Sequence, residues 1–282
     1  MSAASTPIPA GMRDAHEGER LIPYARSVWA RREYIWYVAA SEVRSSQVNT
    51  VLGNFWHVLN PAITVAIYYV IFVLLLDITR GVDNLVTYLA IGVILFQLTQ
   101  QSTVRGANSI VNNTGLIKSV HFPRVILPLT SVLFVWLSSL SALGVMYIVA
   151  ILTGEPVSAR WLLLLPVAAV LTLFNIGAAM IAARATTHFR DTTQILPFAF
   201  RLLFYGSGVI FNVQAYAEGD DLINFLFTLN PLYCFLTLAR WTVLGGDDVT
   251  AGMMVSALVW TTVVLVGGFV WFKAGEQEYG RD

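Results

Sequence analysis

Six stretches of this chain are each apolar for about twenty residues, at roughly 57–77, 85–104, 125–152, 161–183, 194–213 and 251–272. About 20 such residues are what a helix needs to cross the hydrocarbon core of a bilayer. A backbone surrounded by lipid must satisfy its own polar groups, so the pattern predicts an all-α integral membrane protein with six transmembrane helices. Composition agrees, with 56% hydrophobic and 12% charged residues, against about 25% charged in a soluble domain. Pro128, Pro166 and Pro197 fall near the starts of their spans, where a missing N–H costs least.

A further apolar stretch, 222–244, is long enough to span but is interrupted by Asn230-Pro231. Proline removes a helical hydrogen bond and clashes with the preceding turn. The stretch is flanked by Glu218, Asp220 and Asp221 on one side and by Asp247 and Asp248 on the other, with no Lys or Arg in either flank. It reads as an outer re-entrant helical hairpin between spans 5 and 6 rather than a seventh span. Basic residues fix the orientation. Fourteen of the seventeen, including Arg31, Arg105, Lys118, Arg124, Arg184, Arg190, Arg201 and Lys273, fall on one side; Arg80, Arg160 and Arg240 fall on the other. Both termini are expected in the cytoplasm.

Ahead of span 1, Val28, Trp29, Tyr34, Ile35, Tyr37 and Val38 alternate with Arg31, Arg32, Glu33 and Arg44 over residues 27–50. This predicts an interfacial amphipathic helix, its aromatics at headgroup depth. Residues 1–26, rich in Pro, Gly and charge, are expected to be a disordered tail, and no cleavable signal sequence is read there.

Several chemistries are excluded. A phosphate-binding loop requires Gly-x-x-x-x-Gly-Lys-Ser/Thr, and neither lysine, Lys118 or Lys273, sits in that context. The chain is therefore expected to be no enzyme and to bind no cofactor of its own. A serine nucleophile at Ser207 needs a base in reach, but His16, His57, His121 and His188 all lie toward the opposite interface. The same histidines are too dispersed for a metal cluster. A lone cysteine, Cys234, forms no internal disulfide, and zero net charge speaks against a nucleic-acid partner. Fifteen of the seventeen basic residues are arginine, a bias expected of a GC-rich genome.

Charges inside spans are costly and become functional candidates. Arg201 lies about two turns into span 5. It either meets an anionic substrate group, or it snorkels to the headgroups or pairs with Asp191. Aromatics cluster at Tyr68, Tyr69 and Phe72 in span 1 and at Phe198, Phe200, Phe204, Tyr205 and Phe211 in span 5. Core packing or a carbohydrate-lined path would each use them. The segment between spans 2 and 3 is short, amphipathic and cytoplasmic in this topology.

That segment, SIVNNTGLIKSVHFPRVILPL (Ser109 to Leu129), resembles the gate and coupling-helix region of polysaccharide-exporting ABC transporter permeases of the ABC-2 class. VLGNFWHVLNP (Val51 to Pro61) resembles the family's lead into the first span. HFRD (His188 to Asp191) resembles its Phe-Arg-Asp turn before the fifth, and LNPLYCFLTLAR (Leu229 to Arg240) its outer re-entrant segment. Four motifs in register cover most of the chain from about residue 30, placing an ABC-2 transmembrane domain over 27–282. Two positions depart from the pattern: Ser207-Gly208-Val209 stands where Thr-Pro-Val is common, and Arg201 where an uncharged polar residue is usual.

The resemblance implies two copies of this chain with two copies of a separate ATP-binding cassette subunit that carries the ATP and Mg. It implies export of a lipid-linked glycan such as O-antigen, teichoic acid, capsule or galactan. With the arginine bias, an undecaprenyl- or decaprenyl-pyrophosphate-linked galactan for the cell wall is the expected cargo. An exporter of small lipophilic molecules or drugs is the alternative. Trp56, Tyr68, Phe72, Arg190, Arg201, Phe204 and Tyr205 are expected along the substrate path. Asn112, Leu116, Ile117, Lys118, His121, Phe122 and Arg124 are expected to receive the ATPase stroke.

Overall fold

The computed structural model describes residues 21–46, 55–75, 82–120, 122–213, 221–246, 249–276 and 278–279. Every regular element among them is helical. Two short helices come first, α1 (Leu21–Ala30) and α2 (Arg32–Ser45), separated by a break at Arg31. Residues 21–26, expected in the tail, are thus helical, because Tyr24 is buried and anchors that turn; residues 1–20 lie outside the described chain.

Next comes α3 (Trp56–Tyr69), which passes into a π-helical turn at Val70–Leu75. It is followed by α4 (Leu85–Asn108), a short α5 (Thr114–Ser119), α6 (Ile126–Leu152) and α7 (Leu164–His188), the last led by a 3₁₀ turn at Ala159–Leu163. After these come α8 (Thr192–Gly206), α9 (Asp221–Leu229), α10 (Pro231–Leu244) and α11 (Ala251–Ala274). Three helix starts carry side-chain caps. The Asn84 side chain accepts from the Thr87 amide at 3.1 Å, and Thr250 Oγ1 accepts from Met253 at 3.3 Å. Asn230 accepts from Leu232 and Tyr233, with Pro231 at the first helical position.

Among the described residues four helices are long and apolar enough to cross a membrane: α4, α6, α7 with its lead, and α11. One of the predicted spans comes out shorter. The fifth, expected over 194–213, ends at Gly206. Gly208 there adopts φ +60°, and the side chains of Asn230 and Arg240 take up the carbonyls that a continuing helix would use. The first is described to Leu75, and 76–77 lie outside the described residues. The stretch at 222–244 forms α9 and α10, bent by 92° at Asn230-Pro231.

Helix α4 is the centre of the bundle. It is apolar nearly all round and buried along most of its length, as such a helix must be. Helices α6, α7 and α10 pack around it, sharing a core that includes Phe96, Met146, Phe174, Phe235 and Leu236. The two ends of the described chain meet: Tyr24 donates to Glu276 Oε1 at 2.7 Å. The start of α4, the turn after α6, the end of α8 and the start of α10 gather at the opposite end of the bundle.

Candidate functional site: an aromatic wall and an exposed hairpin

Two features stand out on this frame. The first is a run of rings joining α3, α4 and α8. Tyr68 stacks on Phe72 at 5.9 Å and on Phe204 at 5.7 Å; Phe96 meets Phe204 edge-on at 5.2 Å and Phe200 at 6.0 Å; Phe204 meets Tyr205 at 5.6 Å. Each such pair contributes roughly 0.5–1.5 kcal/mol beyond area burial, so the wall is cohesive without needing a charge. It lies beside the π-helical turn Val70–Leu75, a distortion often found at functional positions.

The structure therefore brings together Tyr68, Phe72, Phe204 and Tyr205. Trp56 is not among them: it opens α3, twelve residues earlier, about 18 Å away along the helix. Phe96 joins the wall from α4, where sequence reasoning saw only one more apolar residue of a span. On α8, Phe198, Arg201, Leu202 and Tyr205 form an exposed stripe at helical spacing. Arg201 sits 5.9 Å from the Phe198 ring centroid and forms no ion pair with Asp191. Arg190 is exposed on the turn before α8, more than two helical turns from Arg201.

The second feature is the hairpin between α4 and α6. A 3₁₀ turn (Val111–Asn113) leads into α5, and its top is exposed at Asn112, Leu116 and Lys118, while Ile117 is buried. Phe122 packs into a small core with Tyr24, Ile110, Ile117, Phe272 and Tyr279. Arg124 is fixed by its amide, which donates to Glu276 Oε1 at 2.8 Å, and by its guanidinium, which donates to the Glu276 carbonyl. His121 lies outside the described residues. Burial, and then the Glu276 carboxylate, push the Tyr24 phenol above its usual pKa, so it stays a donor. Among the described residues no group of three or more His, Cys, Asp or Glu converges as a metal site.

At the opposite end, Arg240 is buried and holds the turn that ends α8. It donates to Gly208 O at 2.9 Å and Val209 O at 2.8 Å, with Tyr88 O at 3.4 Å. Its guanidinium lies 3.4 Å from the Tyr88 ring centroid. Asn230 adds donors to Gly206 O at 3.1 Å and Ser207 Oγ at 3.0 Å. Sequence reasoning counted Arg240 only among the three basic residues on the outer side. The signal available was its position inside an apolar stretch without a nearby acid.

An all-helical bundle of long apolar helices around a buried central one is built as a multi-pass membrane protein. Residues 33–244 match the ABC-2 type transporter family, and the chain belongs to that family, whose members are membrane subunits of transporters. It is 25% identical over 218 residues to an O-antigen export system permease protein RfbA of Klebsiella pneumoniae, covering 77% of this chain and 82% of the relative. A second Klebsiella pneumoniae RfbA permease is 26% identical over 199 residues, 70% of this chain and 75% of its own. One from Myxococcus xanthus is 22% identical over 219 residues, 77% and 82% of the two chains.

Proposed function

We propose that this chain is the membrane-spanning subunit of an ATP-driven exporter of lipid-linked polysaccharide in a bacterial inner membrane. Two copies pair, and two copies of a separate ATP-binding subunit carry ATP and Mg. The observation that carries the reading is the aromatic wall beside Arg201, in a chain that aligns along 77% of its length with a permease named for O-antigen export. Rings suit a sugar polymer because apolar sugar faces stack on them while hydroxyls stay with water.

Topology supports the reading. The Tyr24–Glu276 bond puts both described chain ends at one end of the bundle, which requires an even number of crossings. Six follow if α3 with its π turn and α8 each count as one and α9–α10 re-enters. Re-entry is favoured by Asn230 reaching Gly206 and by Gly245 packing on Arg160 at the same end. Exposed Trp29, Tyr34, Trp36 and Tyr37 on α1 and α2 suit headgroup depth, with both termini cytoplasmic. The exposed stripes on α8 and on α3 with its π turn (Ile63, Ile67, Ile71, Leu74) are the faces for the second copy.

In this mechanism the partner ATPase presses on the hairpin through Asn112, Leu116, Lys118 and His121. Ile117, Phe122 and Arg124 pass the movement to the bundle. The path opens between the paired α3 and α8 faces, with Trp56 near its entrance. Arg190 and then Arg201 meet the pyrophosphate head of an undecaprenyl- or decaprenyl-linked galactan. Arg201 lies nine residues into α8, about 13 Å along it, close to half of a hydrocarbon core of about 30 Å. That depth makes snorkelling costly and favours a charged ligand.

Depleting the protein in its native host tests the reading. Accumulation of one polymer on its lipid carrier in the inner leaflet is expected. Unchanged glycan pools with sensitivity to lipophilic compounds would overturn it in favour of a small-molecule exporter. The Arg201→Gln variant is expected to slow export about tenfold or more with normal accumulation of folded protein; unchanged flux would remove Arg201 from the path.

A further inference from the structure

Just past α11, Gly275 and Tyr279 are buried and Glu276 is half-buried. Tyr279 is 2% exposed; its ring packs on Phe272 at 4.8 Å and its hydroxyl donates to Phe272 O at 2.8 Å. Glu278 lies 4.0 Å from Arg184 and 3.8 Å from His188 Nε2, both at the end of α7. The Arg184 guanidinium occupies the space that a Cβ on Gly275 would fill. Glu276 is the junction. One carboxylate oxygen accepts both the Tyr24 hydroxyl and the Arg124 amide, while its carbonyl accepts the Arg124 guanidinium. Three segments distant in sequence thus converge on one residue: the N-terminal helix α1, the base of the α4–α6 hairpin, and the tail.

A hairpin that is pushed moves the bundle only if its base is stiff. The hairpin's outer face is exposed and its helix α5 is six residues long, too short to be stable alone. What holds it is Ile117 and Phe122 in the small core, plus the Arg124 ties to Glu276.

We propose that Glu276 is a positioning residue for energy coupling: it clamps the base of the hairpin to α1 and α11, so that force on Asn112–Lys118 displaces these helices as one body. This rests on the reading of the hairpin as the ATPase contact. The clamp is expected to stay closed through the cycle.

Two measurements on the complete transporter in liposomes test it, using wild type, Glu276→Ala and Glu276→Gln. The first is amide hydrogen exchange over residues 110–120. Exchange is expected to rise about tenfold in the Ala variant, as expected for loss of a charge-assisted bond. The Gln variant, whose amide oxygen can still accept from Tyr24 and Arg124, is expected to recover most of the protection. The second is lipid-linked glycan moved per ATP hydrolysed, expected to fall in step with exchange while ATPase binding is kept. Unchanged exchange would overturn the proposal, and so would raised exchange with an unchanged transport-to-ATP ratio. Wild-type complex that moves no lipid-linked glycan would instead refute the export reading, and the exchange arm would still decide the clamp.

A cross-link separates a clamp from a latch that must open. Cys234 is buried and is the only native cysteine, so an Arg124→Cys, Glu276→Cys pair can be joined by a short bifunctional thiol reagent. Restored transport after joining is the expected result. Transport in the unjoined pair that is lost on joining would overturn the proposal.

Discussion

Replacing Arg240 with leucine is expected to lower unfolding stability by about 3 kcal/mol or more, measured by SDS titration of the purified protein in mixed micelles. The guanidinium supports the backbone at Tyr88, Gly208 and Val209 simultaneously. Leucine removes the donor from Val209 O, leaves Gly208 O with only the 3.4 Å bond from the Tyr88 hydroxyl, and takes a second donor from Tyr88 O in α4; each buried group so weakened costs roughly 1–3 kcal/mol. Relief of the buried charge offsets part of that sum, because desolvating a guanidinium is itself expensive. The balance still falls on the side of loss, since the Gly208 and Val209 carbonyls belong to a turn that cannot rebuild a helix: Gly208 sits at φ +60°. Arg240→Lys is expected to recover only part of the loss. An ammonium is a point charge on a flexible stem and cannot present the planar fork that reaches Gly208 and Val209 together. Wild-type stability in Arg240→Leu would mean that water, entering from the cavity of about 300 Å³ that Arg240 borders, solvates the turn without help.

Arg240 also shows where the sequence stops being legible. The apolar runs announce α4, α6, α7 and α11 because lipid forces twenty-residue apolar helices on any chain. The Asn230-Pro231 break announces the bend between α9 and α10 for an equally local reason. The early end of α8 has no such local cause. It depends on Arg240 and Asn230, more than twenty residues downstream, taking the carbonyls at 206, 208 and 209. Likewise Tyr68, Phe72, Phe204 and Tyr205 were visible as aromatics, but their meeting at one wall needs Phe96 of α4 between them. The hairpin was legible from its resemblance to family motifs. The tail that braces it was not, because Glu276 and Tyr279 are single residues in a polar end with no periodicity to mark them.

A close helix crossing was equally hidden, and it gives a prediction whose sign changes between two adjacent residues. Helices α7 and α11 touch backbone to backbone. A Cβ on Gly177 would come within 2.6 Å of the Leu265 nitrogen and closer still to the Val264 carbonyl, and one on Gly268 would meet the Gly177 oxygen at 2.6 Å. Backbone cannot rotate away as a side-chain tip can, so the helices must part. Parting sacrifices the dispersion contacts that hold helices together in lipid, where no hydrophobic force compensates. Gly177→Ala is expected to destabilise by about 1–3 kcal/mol, in the range of core overpacking. Gly177→Leu is expected to prevent accumulation of folded protein. Gly268→Ala should also destabilise. Gly267→Ala should not: a Cβ there meets nothing within 4 Å. Alanine is the better helix former by up to about 1 kcal/mol, so this variant is expected to match or exceed wild type in the same titration. Were Gly267→Ala and Gly268→Ala to behave alike, propensity rather than packing would govern this seam. Opposite signs would place α7 and α11 in rigid contact. Such contact is also what carries the ties of Arg184 and Glu276, at the ends of those two helices, into the bundle.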